Sequence, residues 1–162
     1  MQKLLITQFD LHHRLYNNVL SGFTDRETNQ RLEGYGQMNH VKYLAGHLLN
    51  SQYGLGMLAG INPKVKWNEL FAVMGKSEAR DQYNYPDIEE VKTEWNQMHD
   101  GMREGLAKLT DESLNKKPPA PFDQVADTAG NLWAFINHHQ AYHIGQIAIL
   151  RRGFGKEPMS YQ

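Results

Sequence analysis

The sequence predicts an all-α fold: a four-helix bundle ordered up-down-down-up, with a long crossover between helices two and three. Three observations predict it. Four segments repeat apolar residues at three- and four-residue steps, the helical period. No convincing run of alternating polarity marks a strand. And about 27 residues separate the second periodic segment from the third, far beyond an ordinary helix connection. A connection of that length is too long for a tight antiparallel hairpin, but it suits a return along the bundle that leaves helices two and three parallel.

The first helix runs roughly over Gln2 to Leu20, with Leu5, Phe9, His12/His13, Tyr16 and Leu20 along one stripe. A short turn with capping-box spacing follows at Thr24-Asp-Arg-Glu27. The second helix starts at Asn39 as N-cap and runs to about Ala59, facing inward with Leu44, His47/Leu48, Ser51, Leu55 and Leu58. The stretch from Gly60 to Pro86 is irregular except for an amphipathic piece at Trp67-Asn-Glu-Leu-Phe71. Asp87 with Glu90 three residues on opens the third helix, whose apolar face is Val91, Trp95, Met98, Met102, Leu106 and Leu109. Lys116-Lys-Pro-Pro-Ala-Pro121 forbids helix and reads as an extended connector. The fourth helix, from about Thr128 to Arg152, is expected to bury Leu132, Phe135/Ile136, His139, Tyr142/His143, Ile147 and Leu150.

Composition narrows the chemistry. A length of 162 residues suits a single domain spanning 1–162 with its own core. With 17 basic and 18 acidic side chains and no basic run, nothing points to nucleic acid as a partner. There is no cysteine, which excludes disulfides, thiolate metal ligands and cysteine nucleophiles from this chain. No stretch approaches the roughly 20 apolar residues of a membrane span, and the N-terminus lacks signal-peptide character. A cytoplasmic protein is expected.

Eight histidines are the most informative feature. His139 and His143 lie four apart on a helix, so both rings leave the same face one turn apart. Such a pair is unspecific in a chain so rich in histidine. Its context adds weight, because both rings fall in an apolar stripe where an unpaired polar group is costly. His47 sits on the inward stripe of helix two. If helices two and four are antiparallel, His47 lies ~12 Å from one bundle end, and His139 and His143 lie ~14–20 Å from the same end. Three imidazoles at one depth suit a single divalent transition metal. The alternative is three core histidines hydrogen-bonded to Tyr, Gln or Ser. No carboxylate falls on these faces, so a metal would have neutral ligands and open positions. Gln146 points the same way as His143 and is a candidate to hold a ring nitrogen or to position water or substrate. His13 and His99 fall beside inward stripes, whereas His12, His40 and His138 are expected at the surface or at helix ends.

His139-Gln-Ala-Tyr-His143-Ile-Gly-Gln146 resembles the final-helix signature of the DinB/YfiT-like superfamily of metal-binding four-helix bundles. Asn39-His-Val-Lys-Tyr-Leu-Ala-Gly-His47-Leu is similar to that family's second-helix segment, and Tyr85-Pro86-Asp87 to its entry into helix three. The resemblance spans nearly the whole chain. It implies the crossover topology, zinc or nickel on His47, His139 and His143, and a homodimer. Characterised members of that family include enzymes that use low-molecular-weight thiols in transfer or isomerisation, and the resemblance implies such a thiol as a cofactor here.

Two functions are therefore expected in outline. One is a metal-dependent enzyme acting on a small molecule, either a thiol S-transferase or a hydrolase using metal-activated water; its catalytic base is not identifiable. Its pocket is expected to open at one bundle end, walled by Trp67, Phe71 and Tyr142. The other is a non-catalytic metal-binding stress-response or interaction protein.

Overall fold

The computed structural model describes residues 2–71 and 78–162. Seven α-helices are described: α1 (Gln2–Leu20), α2 (Asp25–Thr28), α3 (Val41–Leu58), α4 (Asn68–Phe71), α5 (Ile88–Lys108), α6 (Asp111–Leu114) and α7 (Ala129–Gly153), with a 3₁₀ turn at Phe122–Gln124. The four long ones, α1, α3, α5 and α7, form the bundle. No strand is present among the described residues. Residues 72–77 of the irregular stretch between Gly60 and Pro86 lie outside the described residues.

Side-chain pairings give the helix directions. The Gln2 amide donates to the carbonyls of Leu106, Ala107 and Leu109, while Asn17 meets Asn96, so α1 and α5 are antiparallel. Asn137 donates to Gln8, and Arg151 donates to the Val19 carbonyl, so α1 and α7 are parallel. Tyr53 meets Glu94 and Gly105 abuts Ala59, so α3 and α5 are parallel. His47 faces His143 and His139, whereas Gln52, further along α3, meets Gln140, so α3 and α7 are antiparallel. The order is up-down-down-up, as expected from the loop length.

Capping fixes where these helices start. Asp87 accepts from the Glu89 N–H while the Glu90 carboxylate accepts from the Asp87 N–H, closing the expected box. Thr24 and Glu27 close the same box on α2, and the Thr128 hydroxyl accepts from Asn131 N–H at the head of α7. At α3 the cap is one residue later than expected. His40 Nδ1 accepts the Tyr43 N–H at 3.0 Å, and the Asn39 carboxamide instead accepts from Ala79 N–H. Arg31 also holds the returning crossover, donating to the Ala79 and Met38 carbonyls and pairing with Asp81. Gly60, at φ +77°, follows the end of α3 in the left-handed region that glycine tolerates.

The core has two apolar clusters. One gathers Tyr16, Tyr43, Leu48, Trp95 and Ile147; the other gathers Phe9, Leu55, Met102 and Trp133. Where they meet, the buried residues are polar: His12, Gln52, Asn137 and Gln140, with the Gln140 amide donating to Gln52 at 2.9 Å. This layer corrects the expected inward face of α7. Phe135 and Tyr142 are 48% and 58% exposed, and the helix buries Trp133, Asn137, Gln140 and Ile144 in their place. His12 is buried rather than at the surface, whereas His40 stands at a helix end as expected, buried because its ring is the cap of α3. His138 is exposed as expected.

Helices α3 and α5 approach closely at Gly105, where an added Cβ would stand 2.7 Å from the Ala59 carbonyl oxygen. Gly101, one turn earlier on the same helix, has nothing within 4 Å. Urea denaturation should therefore separate two identical substitutions. Gly105→Ala is expected to destabilise by about 1–3 kcal/mol through overpacking. Gly101→Ala is expected to stabilise by up to about 1 kcal/mol through helix propensity.

Candidate metal centre

Antiparallel packing of α3 on α7 brings His47 opposite His139 and His143, all three half-buried. Nε2 of His139 lies 3.0 Å from Nε2 of His47 and 3.0 Å from Nε2 of His143. The three rings offer ligand atoms within 4.8 Å of one another, and among the described residues they are the one group of histidines and carboxylates so arranged.

The outer nitrogens fix the tautomers. His47 Nδ1 is 3.0 Å from the Phe71 carbonyl, which can only accept, so Nδ1 carries the proton and Nε2 a lone pair. His143 Nδ1 donates to Gln146 Oε1 at 2.6 Å, while the Gln146 amide donates to the Tyr142 hydroxyl at 3.2 Å. His143 Nε2 therefore also presents a lone pair. His139 stands between the two and has one Nε2 proton at most. It can satisfy one neighbour and leaves the other lone pair facing nitrogen at hydrogen-bond distance. A cation removes that conflict. Two imidazole nitrogens on one zinc ion, each about 2.0–2.1 Å from it, stand about 3.3 Å apart at the tetrahedral angle, close to the spacing observed. The donor set fits a divalent transition metal.

The His47 anchor has a structural origin. The Phe71 ring lies over Gly46, where a Cβ would sit 2.2 Å from a ring carbon, and this contact brings the Phe71 carbonyl to His47 Nδ1. Tyr43 stacks on the His47 ring, and Phe135 stacks on His139. Phe71 thus acts through its backbone, beneath α3, and is not a wall of an open pocket. Trp67 lies in a separate cleft with Lys66 and Glu94. Tyr142 is exposed and does not line the cavity beside the histidines. The cavity beside the histidines, about 180 Å³, is bounded instead by α3, the 3₁₀ turn and the first half of α7. Sequence reasoning missed Phe122 and Val125, because residues of a connector carry no periodicity to reveal their direction.

His13 and His99 belong to a different cluster. Their ring centroids lie 3.9 Å apart with the planes tilted by 36°, and His99 contacts Asp10 and Asp100.

This architecture coincides with that of a family. The DinB superfamily profile matches residues 8–147, and the chain belongs to that superfamily. Among curated proteins, none matches the chain. The crystal structure of a conserved protein from Enterococcus faecalis has the same fold. It aligns with a TM-score of 0.70 at 18% identity, over 96% of this chain and 98% of that one.

Burial is the largest influence on all three site histidines and lowers each below the ordinary value of 6.5. His139 falls furthest, to about 3, with repulsion from His143 and His47 adding to desolvation. In His47 and His143 the hydrogen bonds to Phe71 and Gln146 oppose the shift. Since the folded state refuses protons that the unfolded chain accepts, stability must fall as pH drops below about 6.5. The loss continues until His139 itself protonates near 3. The urea midpoint of metal-free protein is therefore expected to decline steadily from neutral pH into acid. His139→Gln is expected to make that decline shallower.

Proposed function

We propose that the protein is a metal-dependent transferase acting as a single domain. His47, His139 and His143 hold one divalent transition metal, zinc or nickel, and the centre joins a low-molecular-weight thiol to a small-molecule electrophile. The observation that carries this reading is the approach of His139 Nε2 to 3.0 Å from both His47 Nε2 and His143 Nε2, with two of the opposite nitrogens tied to Phe71 and Gln146. A divalent cation there supplies Lewis acidity, which deprotonates a thiol outright or lowers the pKa of water to about 7.

The residues of the chain supply position. The Phe71 carbonyl and Gln146 fix the orientation of His47 and His143. The Tyr142 hydroxyl, which accepts from Gln146, stands exposed with its own proton available to an incoming substrate. No carboxylate joins the histidine cluster among the described residues. With none there, the proton released by the nucleophile passes to solvent. In the transfer, sulfur forms the new bond with its electron pair, the thiol proton passes to solvent, and the electrophile's leaving group departs. The same missing base supports a second reading, a non-catalytic metal-binding stress-response or interaction protein.

The reading includes a cytoplasmic homodimer with no nucleic-acid or membrane partner. Its supports are the family, the net charge of −1, the absence of a described helix long and apolar enough to cross a membrane, and exposed Tyr35 and Ile149 beside one apolar groove.

A panel of low-molecular-weight thiols with 1-chloro-2,4-dinitrobenzene, assayed with zinc, with nickel and with chelator, tests the enzyme. The expected result is metal-dependent S-arylation that falls at least about 100-fold in His143→Ala while helicity is kept. No turnover by fully metal-loaded protein with any thiol supports the non-catalytic reading instead. Gln146→Leu, which removes the partner of His143 Nδ1, should weaken metal binding by about 10–100-fold.

A further inference from the structure

The cavity of about 180 Å³ beside the histidines has a chemical character that the metal site alone does not dictate. One wall is His47 and His139. Leu132 and Ile136 form a buried floor, Phe122 packs over the side, and Val125 and Phe135 stand exposed at the mouth. Among its lining residues none is Lys, Arg, Asp or Glu.

Its two amide or hydroxyl side chains already donate elsewhere. The Asn50 amide donates to Asn68, and the Ser51 hydroxyl donates to the Leu48 carbonyl at 2.7 Å. Beyond one N–H of Asn50, an anion entering the cavity meets no Lys or Arg and no uncommitted amide or hydroxyl donor, and an ammonium meets no carboxylate. Burying either charge there is costly.

Size gives the second limit. A cavity of about 150 Å³ lined by Leu, Ile and Phe stays dry and accepts benzene, so the space here suits a single aromatic ring or its aliphatic equivalent. The sequence also keeps it open. Gly54 lies in the interior of α3, where glycine is the poorest helix former after proline. A Cβ built on it would point at Phe122, 3.5 Å from the nearest ring carbon. A larger side chain would therefore grow into the cavity.

We propose that this cavity binds the uncharged, apolar end of the electrophilic substrate, a group about the size of a benzene ring, and delivers the adjoining reactive atom to the three histidines. The polar thiol then approaches from the open side near Tyr142, since its charged groups find no partner in the cavity. The proposal rests on the metal-centred reading for the place of reaction, and on the cavity alone for binding.

The test uses fluorobenzene, 4-fluorobenzoate and protonated 4-fluorobenzylamine, followed by fluorine NMR with the metal-free full chain. Saturable fluorobenzene binding is expected, with both charged probes at least about tenfold weaker. Gly54→Leu should weaken fluorobenzene at least about tenfold. If that variant does not fold, Phe122→Ala should shift preference towards 1-fluoronaphthalene by enlarging the same space. Equal affinity for the three probes overturns the proposal, as does wild-type binding in folded Gly54→Leu or an unchanged preference in Phe122→Ala. Loading with cobalt(II) separates the two readings. Enhanced relaxation of the bound fluorine places the probe beside the metal and supports both. Failure to take up cobalt, with fluorobenzene still blocked by Gly54→Leu, sinks the metal reading and upholds this one. Cobalt bound without any effect on bound fluorine puts the probe elsewhere and overturns this one.

Discussion

Lone pairs on His47 and His143 both point at His139 Nε2 from 3.0 Å, and much of the structure can be traced to holding them there. Neutral imidazoles do not gather in this way unaided, because one proton cannot bridge two acceptors. The arrangement depends on α3 lying antiparallel to α7. In this bundle order that pairing goes with the long crossover between α3 and α5. The crossover in turn supplies the Phe71 carbonyl, seated by the contact of its ring with Gly46. Topology, tautomer and histidine geometry thus form one causal chain, in which a glycine next to a histidine is as consequential as the histidine.

The polar layer across the middle of the bundle has a distinct role. His12, Gln52, Asn137 and Gln140 are buried between the two apolar clusters, and burial lowers the pKa of His12 while Gln140 and Asn137 oppose the shift through hydrogen bonds. An apolar seam lets helices slip past one another at little cost, whereas a buried amide pair such as Gln52–Gln140 loses its partner when the register shifts. Gln140 is the chain neighbour of His139, so the layer that fixes the register of α7 on α3 also fixes the level at which the histidines meet.

Helix starts were legible in the sequence because capping is local: Thr24 with Glu27, and Asp87 with Glu90, satisfy each other within four residues. The cap of α3 was displaced by one residue because Asn39 has a distant partner, Ala79, that no local pattern contains. The face of α7 was read a step off for a related reason. Apolar periodicity assigns Phe135 and Tyr142 inward, but the buried partners at that level are amides, which turn Asn137 and Gln140 to the core and move the aromatics outward. The three histidines were legible together, since spacing and depth are properties of helices alone. The cavity walls were not. Phe122 and Val125 come from a proline-rich connector whose direction is set by tertiary packing.

One cation shared by three rings is the premise on which the proposed chemistry depends. The most direct measurement is anomalous diffraction at the metal edge, from crystals of untagged protein grown with one equivalent of zinc or nickel. The account predicts a single strong peak in contact with Nε2 of His47, His139 and His143. Metal bound elsewhere, or bound equally well by His139→Ala at the same stoichiometry, would contradict it.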